Sequence, residues 1–129
     1  MKYPCMALAG LLFWSLAGSA RAGEADVIDV QVQRLSAGYR FSVTVRHADS
    51  GWEHYADRWE ILTPDGRVLA TRTLYHPHVD EQPFTRGLSP VEIPAGLDRV
   101  LVRAHDKVHG YGGRTATVRL PRPRTSPGK

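Results

Sequence analysis

From residue 28 onward, apolar and polar side chains alternate with a period of two along most of the chain. Ile28, Val30 and Val32 alternate with Asp29, Gln31 and Gln33. Phe41, Val43 and Val45 alternate with Ser42, Thr44 and Arg46, and Trp59 and Ile61 flank Glu60. Val68 to Tyr75, Val91 to Ile93, Val100 to Ala104 and Ala116 to Leu120 continue the pattern. Successive side chains of a strand point to opposite faces, so the pattern predicts seven half-buried strands. Gly38, Thr63-Pro64-Asp65-Gly66 and Pro94-Ala95-Gly96 supply turns between them, because proline presets φ and glycine accepts positive φ. No ten-residue segment there carries apolar positions at helical spacing, so no helix is expected. Strands at intervals of about 10 to 15 residues predict an all-β fold. The expected architecture is a single seven-strand antiparallel sandwich, immunoglobulin-like or fibronectin III-like, with a small barrel as the alternative. Trp59, in phase with Ile61, is its expected core tryptophan.

The first 22 residues follow a different rule. Lys2 precedes an apolar run from Met6 to Leu16, and Ala20-Arg21-Ala22 ends the segment with small residues where a signal peptidase reads. This is the pattern of a cleavable signal peptide, cut after Ala22. The run falls short of the roughly 20 apolar residues that span a bilayer. Cys5 precedes the run rather than following it, so a lipid anchor is not expected. The organisation read from the sequence is therefore 1–22 signal peptide, 23–120 β-sandwich domain and 121–129 disordered basic tail. A periplasmic or secreted location is expected, with no transmembrane segment in the mature chain. Cys5 is the only cysteine and leaves with the signal. The mature chain then has neither a disulfide nor a thiolate ligand or nucleophile.

Charge at first suggests a different partner. The net charge is +4 and the pI about 9.6. Yet Lys2 and Arg21 belong to the signal, and Arg119, Arg122, Arg124 and Lys129 to the end of the chain. Residues 23–118 hold 11 Lys and Arg against 13 Asp and Glu. The body is mildly acidic, which favours cations and removes the case for nucleic acid.

Candidate chemistry gathers in three connections: 49–59, 75–86 and 105–113, all dense in aromatic, histidine and acidic residues. Loops on a rigid sandwich are common places for binding groups. In His76-Pro77-His78 the proline favours extended backbone, and residues i and i+2 of such a segment point to one side. Paired imidazoles suit Cu(II) or Zn(II). His54, His76, His78 and His109 are the candidate ligands, with His105, Asp80 and Glu81 able to contribute. His47 continues the face of Phe41, Val43 and Val45 and is expected to be a hydrogen-bonded structural residue. Trp52, Tyr55, Phe84 and Arg86 form a candidate partner-binding patch. No spacing of carboxylates, serine or histidine fixes an acid–base pair or a nucleophile, so no enzyme is expected. The expected function is an exported binding protein that takes copper or zinc through loop histidines. The alternative is a metal-free accessory module that docks on another envelope protein.

The segments GWEHYADRW (51–59) and HPHVDEQPFTR (76–86) are distinctive in wording. With them the chain from Val27 to Leu120 resembles a family of small bacterial exported proteins of no established activity. The resemblance implies export and a sandwich fold, and it transfers no catalytic residue.

Overall fold

The structure is a computed structural model that describes residues 23–122. The expected signal peptide, and the tail from residue 123, lie outside the described residues. The described residues are all-β, with seven strands: β1 (Asp26–Arg34), β2 (Tyr39–Arg46), β3 (Ala56–Leu62), β4 (Val68–Thr73), β5 (Phe84–Val91), β6 (Arg99–Asp106) and β7 (Ala116–Arg119). They form two antiparallel sheets, not one closed barrel: β1-β2-β5 and β4-β3-β6-β7.

The core lies between the sheets. Phe41, Val43 and Val45 of β2 and Phe84 of β5 face Trp59 and Ile61 of β3 and Val100 and Val102 of β6. All are buried, and each side chain of this size stabilises the fold by roughly 1.5–3 kcal/mol through removal from water. Trp59 is a core residue, as its phase with Ile61 predicts.

Two elements differ from the sequence expectation. The fifth strand runs from Phe84 to Val91 and stops before Ile93. Gly87 and Pro90 read as strand breakers, but β5 pairs with β2 only and forms a sheet edge, where a missing amide donor is tolerated. In β1 the register against β2 shifts between Val27 and Asp29. Ala25 and Val27 are buried on one side of this bulge, and Val30 and Val32 pack inward on the other. Ile28 is the extra residue that changes the phase, so its expected alternation with Val30 fails.

Antiparallel order fixes which connections meet. β2 and β6 end where β3, β5 and β7 begin, and β1 starts at that same end. The β2–β3, β4–β5 and β6–β7 connections therefore share one end of the molecule with Gly23. All three histidine-bearing segments lie there.

Candidate metal centre

Asp106, the last residue of β6, sits at the middle of this end and is fully buried. Its Oδ1 accepts the backbone N–H groups of Val108 at 2.8 Å and His109 at 2.6 Å, which closes the β6–β7 turn. Its Oδ2 has no hydrogen-bond partner among the described residues. A buried carboxylate oxygen without a partner is costly and points to a group that belongs beside it.

Histidines from two connections face that carboxylate. His47 extends the inward face of β2 by one residue and is buried. Its Nδ1 donates to Asp49, and its Nε2 donates to the Gly23 carbonyl at 2.8 Å and lies 3.8 Å from Asp106 Oδ2. His54 Nε2 is 3.1 Å from the same Gly23 oxygen and 3.4 Å from Asp106 Oδ1. The two rings meet edge to face, with centroids 4.7 Å apart. One ligand atom each from His47, His54 and Asp106 lies within 4.8 Å of the others. His109 borders the group: its Nδ1 is 3.3 Å from Asp106 Oδ1, and its ring centroid is 4.9 Å from that of His54. A tetrahedral ion with bonds of about 2.0–2.2 Å holds neighbouring ligand atoms roughly 3.3–3.6 Å apart. The spacings around Asp106 and Gly23 bracket that range.

Asp49 organises the group from behind. Besides His47 it accepts the backbone N–H of Ala56 at 3.0 Å and of His78 at 2.7 Å. Burial opposes its ionisation, but the His47 hydrogen bond and the two N–H groups outweigh burial and hold its carboxyl below the ordinary range. Asp106 is shifted the same way: burial opposes its charge, and the amides of His109 and Val108 prevail. For His47 burial favours the neutral ring, yet Asp49, the Gly23 carbonyl and Asp106 together raise its pKa. Both ring nitrogens of His47 thus face acceptors. Either the ring is an imidazolium, or a cation replaces the Nε2 proton while Asp49 keeps the one on Nδ1. The second arrangement is the carboxylate–histidine–metal relay of metal sites.

The sequence-predicted ligands divide into two groups. His54 belongs to the triad and His109 adjoins it. His76 and His78 pair with each other, ring centroids 4.7 Å apart. His78 turns inward, stacks on Phe84 at 4.0 Å and accepts from Arg86 at its Nε2. Burial, Arg86 and His76 lower its pKa. Its link to the triad runs through the Asp49 carboxylate. His76 is exposed. His105 donates to Asp57 at 2.6 Å and packs against Tyr111. His47 has the hydrogen bonds expected of a structural residue, and it is also a member of the triad. Sequence reasoning did not single out Asp106 or the Gly23 carbonyl. The phase of His47 with the β2 core was the one local signal. In the candidate patch Trp52 is 63% exposed, whereas Tyr55 and Phe84 are buried. Phe84 belongs to the core because β5 begins there, so its ring offers no surface to a partner. Arg86 is held between His78 and Glu81.

The chain is 47% identical over 98 residues to a protein of Halomicrobium mukohataei named "Putative lipoprotein". The alignment covers 74% of this chain and 47% of that protein, so the chain spans about half the length of that relative. No family model and no solved structure matches the chain.

Proposed function

We propose that the chain is an exported, non-enzymatic binding protein whose loop end holds Cu(II) or Zn(II) through His47, His54 and Asp106, with His109 as the adjoining fourth ligand. The observation that carries this reading is the set of acceptors around His47 Nε2, together with Asp106 Oδ2, which has no partner among the described residues. Imidazole and carboxylate ligands suit both ions. The burial of His47 and Asp106 suits holding an ion more than presenting it to a substrate. Export is supported by the signal pattern of residues 1–22 and by the lipoprotein name of the relative. A periplasmic or secreted location follows, with 23–120 as the folded unit and 121–129 as a basic tail. The strand order supports a fibronectin III-like rather than an antibody-like arrangement.

Isothermal titration of the exported protein with Zn(II) and with Cu(II) tests the reading. One ion per chain is expected. The His47→Ala/His54→Ala variant should bind at least about 100-fold more weakly, since loss of an outer partner alone costs 10–100-fold. His76→Ala/His78→Ala should bind like the parent. No uptake by the parent, or undiminished uptake by the first variant, refutes the site.

One observation favours the docking alternative. Of the six exposed large apolar side chains among the described residues, Trp52, Tyr75, Val79, Val108 and Tyr111 lie on connections of this same end. If the end docks on an envelope protein, Trp52→Ala should lose a cross-linked partner that His54→Ala retains. Retention by both variants removes Trp52 from the interface.

A further inference from the structure

We propose that removal of residues 1–22 completes this cation site. The α-amino nitrogen released on Gly23 and the Gly23 carbonyl oxygen then chelate the ion held by His47, His54 and Asp106. The inference rests on the metal reading above and on cleavage after Ala22.

Gly23 is placed by the start of β1. Ala25 is buried in the core, Val27 donates to the Arg114 carbonyl at 2.8 Å, and Asp26 accepts from the Arg114 amide at 2.6 Å. The segment is therefore anchored to the β6–β7 connection just after Gly23. That anchoring sets the Gly23 oxygen 2.8 Å from His47 Nε2 and 3.1 Å from His54 Nε2. The carbonyl stands where an ion shared by those two nitrogens would meet an oxygen ligand.

The nitrogen of the same residue cannot be far from that point. Standard bond lengths put the backbone N and O of one residue roughly 2.7–3.6 Å apart, depending on ψ. At the short end of that range, N, Cα, C and O close a five-membered ring on a metal ion. Within a peptide bond the nitrogen lone pair is delocalised into the preceding carbonyl and is a poor ligand. As a terminal amine the same atom has a free lone pair. Processing thus changes a non-ligand into a ligand.

Residue 23 also has to be glycine for this approach. A Cβ there would lie 2.5 Å from His109 Cε1 and 3.1 Å from each of its ring nitrogens. The backbone of residue 23 lies directly against the His109 imidazole. A side chain would displace either the main chain or the fourth ligand, His109. Asp106 Oδ2, without a partner among the described residues and 3.8 Å from His47 Nε2, supplies the negative charge. The site then consists of groups from the chain start, β2–β3 and β6–β7, and the export step supplies the last of them.

The full chain is expressed with residues 1–22, exported and purified, and its first residue is read by intact mass. Its Cu(II) affinity is compared with that of a form carrying Ser-Ala ahead of Gly23. The extended form is expected to bind at least about tenfold more weakly. A second measurement needs no variant. Labelling with 15N-glycine should change the nitrogen superhyperfine splitting in the Cu(II) electron paramagnetic resonance spectrum of the processed protein. Equal affinity of the two forms with no effect of the label overturns the role of Gly23 and leaves the histidine site standing. A native first residue other than Gly23 overturns it as well. Absence of Cu(II) binding by every form overturns the site itself.

Discussion

Asp49→Ala is expected to destabilise the metal-free protein by about 3–5 kcal/mol, the cost of removing one partner from a buried ion pair. The side chain has no solvent exposure, and it ties the end of β2 and the start of β3 to the β4–β5 connection. It accepts from His47 after β2, from Ala56 at the start of β3 and from His78 in the β4–β5 connection. Alanine leaves two buried amides without an acceptor, each costing about 1–3 kcal/mol. It also leaves the His47 ring without its counter-charge. Asp49→Asn keeps one acceptor oxygen and should fall between the two. Urea unfolding in the presence of a chelator gives the numbers. The effect should depend on pH with a defined sign. The folded pKa of Asp49 lies below its ordinary 3.8, so its contribution is present above that value and fades as pH falls through the lower folded one. The folded pKa of His47 lies above its ordinary 6.5, so its contribution is full below 6.5 and fades as pH rises through the raised one. The gap between parent and Asp49→Ala should be widest between about 3.8 and 6.5. A gap that grows steadily toward alkaline pH would show that the His47–Asp49 pair is not its source.

Local patterns are legible in a sequence, and contacts between distant segments are not. Alternation in β2 and β6 is a local signal that packing does not override, so both strands and their core residues were legible. The bulge in β1 adds one residue without changing composition, and nothing local marks Ile28 as the place where the phase changes. The start of β5 was obscured because Gly87 and Pro90 look like breakers unless the strand is known to be an edge. At the site, the i, i+2 spacing of His76 and His78 was visible and did produce neighbouring rings. Their use was not visible, because His78 turns onto Phe84 and Arg86. His47, His54, Asp106 and Gly23 come from segments up to 83 positions apart, and strand order alone brings them together. Residue types in the loops suggested a cation site, and the topology determined which of them meet around Asp106.

Asp106→Asn should separate the fold from the metal. The two oxygens of Asp106 have different tasks: Oδ1 accepts from Val108 and His109 and holds the β6–β7 turn, while Oδ2 faces His47 Nε2. Asparagine retains one carbonyl oxygen, which can keep the turn. It replaces the other oxygen with an amino group, which repels a cation and removes the charge. Asp106→Asn is expected to unfold within about 1 kcal/mol of the parent, the scale of a single neutral hydrogen bond. Its Zn(II) affinity should fall at least about 100-fold, more than an outer-partner change produces. Asp106→Ala loses both oxygens and should lose both properties, with the turn amides of Val108 and His109 left unpaired. Chelator competition for Zn(II) and urea unfolding on the same samples read the two effects separately. Parent-like Zn(II) affinity in a folded Asp106→Asn protein would remove Asp106 from the ligand set. Matching losses of affinity and stability in both variants would mean that the carboxylate acts on the ion only through the turn.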